Sequence, residues 1–409
     1  MGATECPPVE PISDFIRDRR TWTLYAQLSA FAYFLYGFGP SVPLLGHDLA
    51  LPDGVAALHG TTFAAGAIVA GLSNTRLARL LGRTRSQQMA LLFLVTGACV
   101  YCAGRSLPTT LTGALMAGYG GNVVVNMTAA SLADHHGDRA TTAISEANGI
   151  SVGVGVFAPF SLGLAALLGS GWRTGLLVVV PFTLAVLLWS RQVRLGTVDP
   201  LPAPREPHTR FGRLPRGFAT AWWLFFLCTV VELCMTFWAS QHLSEFDGLS
   251  QSAATMTVTL MLAGMAGGRL LGAHWTGIAG EDTLLAGSLV VNLAGFVLFW
   301  SVRQPMVAGI GIVLCGLGMA MQFPLTVSRV IARSGGRPDQ AMAWVALGEG
   351  GAAMLGPLAL GALAQRTGVH PAFLLVPALL LGAALIFVLQ NKPLPNAPHE
   401  KVIVRKHRA

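Results

Sequence analysis

Residues Arg191–Gly217 read RQVRLGTVDPLPAPREPHTRFGRLPRG and form the longest polar stretch between the two ends of the chain. Its prolines lack the N–H group that a helix needs, and its arginines are unfavourable in hydrocarbon. Long and almost unbroken apolar sequence lies on each side. The pattern therefore predicts two hydrophobic halves, residues 21–192 and 217–390. A linker at residues 193–216 joins them, and tails at 1–20 and 391–409 flank them.

The composition places the chain in a membrane. Charged residues make up 11% of the chain and hydrophobic residues 53%, whereas soluble domains carry about 25% charged residues. The 48 glycines suit helices that pack closely in lipid. The net charge of +8 alone would suggest a nucleic-acid partner. Because the arginines are spread between apolar stretches, we instead expect a lipid bilayer and a small solute as partners, and no nucleic acid.

Two short motifs resemble metal or redox sites. Cys99 and Cys102 have the CxxC spacing but no histidine or acidic neighbour in their apolar segment, so we interpret them as small helix residues. The run Asp134–Asp138 reads DHHGD in a short loop, where solvation is the simpler interpretation. We predict no metal site and no cofactor other than a proton as coupling ion.

Twelve segments are long and apolar enough to cross a bilayer core of about 30 Å. Numbered as spans 1 to 12, they are Trp22–Leu45, Val55–Arg76, Gln87–Ala103, Thr109–Ala133, Thr141–Leu168, Thr174–Gln192, Phe218–His242, Ser252–Ala273, Thr283–Val302, Met306–Ile331, Gln340–Gln365 and Pro371–Leu389. The predicted fold class is an all-α membrane protein with two six-helix repeats.

The distribution of positive charge predicts the orientation. If both tails and the linker are cytoplasmic, the inner side carries 23 of the 27 lysines and arginines, and the outer side carries Arg105, Arg173, Arg303 and Arg366. Arginine outnumbers lysine 24 to 3, which is typical of high-GC bacterial genomes. We therefore predict a multi-pass protein of the bacterial cytoplasmic (inner) membrane, with both termini cytoplasmic.

Proline marks an internal repeat. Pro159 in Ala158–Gly163 and Pro357 in Gly356–Gly361 lie 198 residues apart in similar contexts. A proline inside a span removes a helix hydrogen bond, so both positions are predicted bends beside a cavity. A fixed kink is the alternative interpretation.

A second landmark supports the repeat. Gly71 and Arg76 at the end of span 2 match Gly264 and Arg269 in span 8 at an offset of 193. Parallel six-span repeats are a transporter architecture, with the solute held near the midplane between the halves.

With these features the chain resembles the major facilitator superfamily, over its whole length. The family's loop after span 2 reads Gly-x-x-x-Asp-Arg-x-Gly-Arg-Arg and latches the cytoplasmic gate. Here Gly71, Arg76, Gly82 and Arg83 keep the glycines and basic residues, and Arg79 stands in place of the aspartate. The resemblance implies that these residues belong to an inner gate. Simple positive-inside arginines are the alternative interpretation.

Within the superfamily two branches compete. Drug–proton antiporters carry an arginine in span 4, where this chain has Ala114, and their span 5 motif is degraded here. The fucose-permease-like branch is closer, because Asn122 and Asn126 keep its span 4 spacing and Phe323–Ser328 is similar to its span 10 run. Span 1 lacks the aspartate of that branch. The resemblance implies a sugar:proton symporter, with drug efflux as the alternative.

Three glutamates lie inside spans, where an ionisable group is commonly partnered or functional. Glu232 in span 7 and Glu349 in span 11 are the predicted proton-coupling residues. A hydrogen-bonded structural glutamate remains the alternative for Glu232. For Glu349 the alternative is an ion pair with Arg329 or Arg333.

The third glutamate, Glu146, lies near the inner end of span 5. It is predicted to form an inner-gate ion pair with Arg76, Arg79 or Arg139.

Polar and aromatic residues inside the spans predict a solute cavity. Amides bind hydroxyl groups and aromatic rings cover C–H faces, as in sugar sites, although a broad drug pocket fits as well. The candidates are Tyr33, Tyr36, Tyr119, Asn122, Asn126, Trp238 and Gln322.

These features predict a secondary active transporter rather than an enzyme. No nucleotide-binding Gly-x-x-x-x-Gly-Lys loop occurs. We expect alternating access, proton coupling, and a sugar or similar polar metabolite as solute. The alternative is efflux of a drug or natural product by proton antiport. A monomer suffices for either mechanism.

Overall fold

The computed structural model describes residues 16–192 and 214–391. The remaining parts of the predicted tails and linker, residues 1–15, 193–213 and 392–409, lie outside the described residues. In the described part every regular element is helical. The helices are α1 Arg19–Asp48, α2 Asp53–Ala56, α3 Leu58–Ala103, α4 Leu107–His136, α5 Ala140–Gly155, α6 Phe157–Leu167, α7 Trp172–Leu177, α8 Val179–Gln192, α9 Arg216–Glu245, α10 Gln251–Ala279, α11 Glu281–Ser301, α12 Pro305–Ala332, α13 Pro338–Thr367, α14 Val369–Ala372 and α15 Leu375–Asn391.

These helices follow the order of the twelve predicted spans. Span 2 begins in α2, and the rest of it lies with span 3 in α3, which changes direction at Gly82, where φ is 74° and ψ is 160°. Left-handed backbone of this kind favours glycine. Spans 5, 6 and 12 are each divided into two helices, α5 and α6, α7 and α8, and α14 and α15. The all-α prediction is confirmed, and the loop expected between spans 2 and 3 is reduced to a break at one glycine.

Ten segments of the described chain are long and apolar enough to cross a membrane. Helices α4 and α10 match spans 4 and 8 and have 30 and 29 residues, but they are not among the ten. Helix α4 contains Tyr119, Asn122 and Asn126, and α10 contains Arg269. Helix α4 packs against α3, whereas α10 packs against α12 of its own half and against α6 of the first half.

Hydrogen bonds join spans 1 and 4 at the end of the molecule nearest the linker. Asp18 caps α1 by accepting from the backbone nitrogen of Thr21 at 2.8 Å. The same carboxylate lies 2.8 Å from Nε2 of His135 in the last turn of α4. A capping aspartate satisfies a free N–H at a helix start, so this residue both begins span 1 and links it to span 4.

The two halves use the same close helix contacts at one sequence offset. A Cβ atom on Gly97 would lie 2.5 Å from the backbone nitrogen of Ala117, and one on Gly295 would lie 2.6 Å from that of Cys315. The two glycines are 198 residues apart (295 − 97), and so are the two residues that they contact (315 − 117). The offset predicted from the two prolines therefore also relates the packing of span 3 on span 4 to the packing of span 9 on span 10.

The second predicted landmark needs correction. Gly66 in span 2 approaches Tyr119 as Gly264 in span 8 approaches Leu317, with Cβ-to-nitrogen distances of 2.7 and 3.2 Å. Gly264 is thus equivalent to Gly66, again 198 residues away, and not to Gly71. The offset of 193 joined residues of similar type that occupy different positions in the two halves.

The halves meet at the end of the molecule farthest from the linker. Gln241 in span 7 donates to Asp53 at 3.0 Å, and Thr61 in span 2 donates to the carbonyl of Met354 in span 11 at 3.1 Å. Nearer the linker, side chains on the inner half of span 11 such as Met342 are exposed. The described contacts therefore join the two halves at the end farthest from the linker.

Candidate solute site between the halves

Glu232 lies on the side of span 7 that faces the first half. One turn further along, Thr236 contacts span 1, where a Cβ atom on Gly39 would lie 3.1 Å from the Thr236 carbonyl oxygen. Residues four apart share a helix face, so Glu232 points toward the same seam. Its side chain is partly exposed, because the space beside it is open.

Arg269 of span 8 is the positive partner of Glu232. The two groups attract each other electrostatically, and Arg269 also interacts with Tyr36 in span 1. Tyr36 belongs to the first half and Glu232 and Arg269 to the second, so this interaction relates the two halves.

Glu349 brings a second carboxylate to this site. It lies close enough to Glu232 for electrostatic repulsion, and it also interacts with Tyr36. Its side chain is exposed. We call Tyr36, Glu232, Arg269 and Glu349 the central cluster.

The walls of the central cluster come from both halves. The Tyr36 ring lies against Gly155 of span 5, where a Cβ atom would be 3.1 Å from Cε2. Span 2 approaches span 11 at Ile68, 3.4 Å from a Cβ atom on Gly350. Spans 1, 2, 5, 7, 8 and 11 therefore surround the same space. Charged groups from several helices at the seam between two repeats can bind an ionic or polar solute.

Comparison with known proteins gives the family. A family model described as Major Facilitator Superfamily matches residues 23–335 and, in a second match, residues 244–407. The chain belongs to the Major Facilitator Superfamily. An uncharacterized MFS-type transporter of Yersinia pestis is 28% identical over 232 residues, 54% of this chain and 57% of that relative. The match to this superfamily relative thus covers just over half of its length.

Solved structures share the fold of this superfamily member. A bacterial homologue of the human lysosomal transporter Spinster, inward-facing and occupied, superimposes with a TM-score of 0.71 at 14% identity over 91% of this chain and 95% of its own. The nucleoside transporter NupG gives 0.70 at 11%, over 92% and 98%. The partially occluded inward-open xylose transporter XylE from E. coli gives 0.72 at 12%, over 92% and 99%. At such identities the likeness concerns the fold alone.

Three predicted cavity residues of this superfamily member are instead buried within its halves. Tyr33 donates to the carbonyl of Gly175 in span 6 at 2.8 Å and contacts Ser161 of span 5. Trp238 is fully buried and donates to the carbonyl of Pro357 at 3.0 Å. For these two residues the cavity prediction is wrong, because each side chain satisfies a neighbouring helix.

Gln322 is the third buried residue, with 2% of its surface exposed. Its Oε1 accepts from Asn292 of span 9 at 3.5 Å. It therefore faces the interior of the second half, and its predicted place in the cavity is also wrong. Tyr36 is the one aromatic cavity candidate that the structure brings to the central cluster.

The three polar residues predicted for the cavity in span 4, Tyr119, Asn122 and Asn126, have different surroundings. Tyr119 lies between spans 2 and 3, where Ser73 donates to its hydroxyl at 3.3 Å and the Phe93 ring is 5.4 Å away. Asn122 donates to the Gly118 carbonyl of its own helix at 3.1 Å, while Asn126 is exposed. The three side chains therefore do not converge on one group in this conformation.

The predicted inner-gate arginines have different surroundings. Arg83 at the start of span 3 forms an ion pair with Asp134 at the end of span 4. Arg76 and Arg79 are exposed, and open space surrounds Gly71 and Gly82. Arg83 therefore joins two spans of one half rather than the two halves.

Glu146 does form an ion pair, but not with the predicted partners. Its carboxylate lies 2.7 Å from Nε of Arg17 and accepts from the Tyr25 hydroxyl at 3.1 Å. Both partners belong to the N-terminal end of span 1. The prediction of Arg76, Arg79 or Arg139 is wrong, because span 5 packs against span 1 at this end.

Spans 9 and 10 of the second half contain an ion pair at a position similar to that of the Arg83–Asp134 pair. Arg329 is nearly buried and pairs with Asp282 at the start of span 9. It is therefore not the partner of Glu349, and the alternative of a Glu349–Arg329 pair is wrong. The two halves place oppositely charged residues at equivalent ends of spans 3 and 4 and of spans 9 and 10, with the positions of the charges exchanged.

The two predicted bends differ from each other. In span 5 the helix divides at Val156, three residues before Pro159, because the proline ring displaces the backbone of the preceding turn. In span 11 helix α13 continues through Pro357. There Trp238 donates a hydrogen bond to the Pro357 carbonyl and holds the segment against span 7.

Arg269 is the site residue that the sequence reasoning missed. It was matched to Arg76 and placed at the inner end of span 8, but α10 continues to Ala279. With the offset of 198, Arg269 is equivalent to position 71, inside the bundle. The 198-residue spacing of the paired glycines could have shown that Arg269 lies inside the bundle.

Proposed function

We propose that this chain is a secondary transporter that moves a small organic solute across the membrane by alternating access. Family membership and the two six-span halves support a transporter. The observation that carries the proposal is the central cluster, where ionisable side chains from spans 1, 7, 8 and 11 meet at the seam of a structure closed at one end. Movement of the halves would expose this cluster to each side in turn.

We propose proton coupling through Glu232 and Glu349. Both carboxylates lie inside spans, where an ionisable group is commonly partnered or functional, and each is near another charged group of the site. The test is accumulation driven by a pH gradient in proteoliposomes, comparing wild type with the double variant Glu232→Gln/Glu349→Gln. We expect the double variant to lose gradient-driven accumulation and to keep exchange down the solute gradient. Unchanged accumulation would show that coupling lies elsewhere.

The solute class has two candidates. A sugar or polar metabolite follows from the resemblance to the fucose-permease-like branch, but of the aromatic candidates only Tyr36 lies in the central cluster. Efflux of a drug or natural product by proton antiport is favoured by the ionic character of the cluster. Currents on solid-supported membranes, with hexoses, sugar acids and cationic drugs as solutes, would separate the two.

We also propose a bacterial inner-membrane protein with both termini cytoplasmic and the halves bounded as predicted. The charge bias of the loops supports this orientation. Reporter fusions at the C-terminus and at the loop of residues 246–250 test it. Alkaline phosphatase is expected to be active only at the loop, and green fluorescent protein to fluoresce only at the C-terminus.

A further inference from the structure

Two histidines and an aspartate lie together in the second half, at the end farthest from the linker. His242 in the last turn of α9 is fully buried, and its Nε2 lies 3.0 Å from Nδ1 of His370 in α14. The Asp247 side chain is buried as well, and its carboxylate lies 3.8 Å from Nδ1 of His242. His370 is partly exposed. We call His370, His242 and Asp247 the distal triad, which leads from the molecular surface to a buried carboxylate.

Three polar atoms of the distal triad have no hydrogen-bond partner in the part of the chain that the structure describes. They are both carboxylate oxygens of Asp247 and Nδ1 of His242. A buried carboxylate without a partner is costly when it is charged, and one proton removes this cost. A carboxylic acid can also donate to an unprotonated imidazole nitrogen. The distal triad is therefore suited to hold a proton on Asp247.

Aromatic rings cover the two imidazoles. His370 is stacked on Phe246 and on Trp300, with ring centroids 3.7 and 4.5 Å away. The His242 ring lies 4.5 Å from that of Phe299. These rings belong to spans 7 and 9, so the triad joins three spans of the second half. The partly exposed edge of His370 is the side on which the triad meets solvent.

The other charged groups near the distal triad do not neutralise Asp247 by contact. Arg303, which follows span 9, attracts this carboxylate, but no ion pair joins the two within residues 214–391. The guanidinium lies instead over the Phe246 ring, 4.7 Å from its centroid. On α9 the nearest acid is Glu245, which bonds to Gln241 at 2.7 Å on the side of the helix that faces the first half.

The last turn of α9 carries the distal triad on one side and the seam between the halves on the other. Gln241 donates to Asp53 of the first half at 3.0 Å and also to Glu245. Gln241 directly precedes His242, and Glu245 lies two residues before Asp247. A movement of the turn that contains Asp247 would therefore also move the two residues that hold the seam.

We propose that the distal triad is a proton-binding site that controls the opening of the seam. With a proton on Asp247 the turn stays packed, and Gln241 keeps its bond to Asp53. When this proton passes through the two histidines to solution, the charged carboxylate moves toward water and the seam separates. The site is distinct from the glutamates of the central cluster. Its effect on the seam rests on the proposed alternating access, whereas proton binding does not.

Infrared spectroscopy of the purified full chain in detergent tests the proton site. The C=O stretch of a carboxylic acid is separate from the bands of a carboxylate, so a pH titration follows protonation directly. We expect wild type to show one acid band that disappears around pH 6 and that Asp247→Asn lacks. Glu281→Gln removes an exposed carboxylate at the start of span 9 and is the matched control, with this band retained.

A pH jump tests the route through the histidines. His370→Gln replaces the partly exposed imidazole at the surface of the triad. This variant is expected to keep the acid band of Asp247 and to slow its response to the jump, as measured by time-resolved infrared spectroscopy. A response as fast as that of wild type would overturn this route.

Distances between two spin labels test the effect on the seam. Arg105→Cys and Arg366→Cys place labels at exposed positions on the two halves, with the native cysteines replaced by alanine. We expect a short distance to dominate at about pH 5 and a longer one to gain population at about pH 8. Asp247→Asn is expected to keep the short distance at both pH values. Gel filtration and thermal unfolding establish that each variant is folded.

The proposal is overturned if Asp247→Asn removes no acid band, or if the distances in wild type do not depend on pH. A pH dependence that persists in Asp247→Asn would overturn the distal triad as its cause. Failure of the transporter proposal would look different. A seam that opens with pH, in a chain that moves no hexose, sugar acid or cationic drug in proteoliposomes, would leave the proton site standing.

Discussion

Gln241 of span 7 donates a hydrogen bond to Asp53 of span 2 at 3.0 Å and thereby joins the two halves. The same amide nitrogen lies 2.7 Å from the carboxylate of Glu245. These groups line a cavity between α1, α2, α9 and α10, with His47 and Gln251 also on its wall. Since this seam closes the central space at one end, alternating access requires it to separate.

A cross-link across the seam is therefore expected to stop transport. A Cβ atom on Gly54 would lie 3.6 Å from the Cα of Ala362, a spacing that a disulfide can bridge. The double variant Gly54→Cys/Ala362→Cys is expected to lose solute movement on oxidation and to regain it with a reductant. Each single variant is the control. Full transport by the cross-linked protein would mean that the seam does not open.

Two tyrosines on span 1 offer a matched comparison of packing and function. Tyr33→Phe removes the hydrogen bond to Gly175 and is expected to lower stability by about 1 kcal/mol while the Km for the solute is unchanged. Tyr36→Phe removes the partner of Arg269 and is expected to change the Km with little effect on thermal unfolding. If Tyr33→Phe instead changed the Km and left the stability unchanged, Tyr33 would be assigned to the cavity.

Trp238→Phe tests the contact with the proline of span 11. The variant leaves the Pro357 carbonyl without its indole donor in a buried position, so stability is expected to fall by about 1–3 kcal/mol. Thermal unfolding in detergent measures the loss, and binding at the central cluster is expected to persist. Wild-type stability with lost binding would contradict this structural role.

Asp247, in the loop between spans 7 and 8, predicts a dependence of stability on pH. Burial raises its pKa from 3.8 to about 6, and Arg303 opposes the shift only in part. The folded protein therefore holds a proton that the unfolded chain releases, so stability falls as the pH rises from about 4 to about 6. The loss at pH 7 is at most about 3 kcal/mol.

Asp247→Asn removes this titration. The variant is expected to be more stable than wild type at pH 7 and equally stable near pH 4, as measured by unfolding across this range. His242 Nδ1 lies 3.8 Å from the carboxylate, beyond hydrogen-bond distance. A variant less stable than wild type at pH 7 would mean that Asp247 forms an ion pair with a charged His242.

The sequence was sufficient to predict the all-α class, the order of the spans and the 198-residue repeat. Hydrophobic transfer and proline chemistry depend on local composition, so they are visible without a structure. The division at Gly82 was not predicted as such, because one left-handed residue replaces the expected loop. The sequence also singled out Glu232 and Glu349 as candidates, because carboxylates inside spans are rare.

Only the tertiary structure decided which polar groups share the central space. A span's sequence does not fix its rotation about its axis, nor which neighbour satisfies each polar atom. Hence Trp238, Tyr33 and Gln322 were placed in the cavity although each bonds to a helix of its own half. Arg269 meets Tyr36 through the packing of spans 1 and 8, distant in sequence. Composition determined that the chain lies in a membrane, and long-range packing determined where its charges meet.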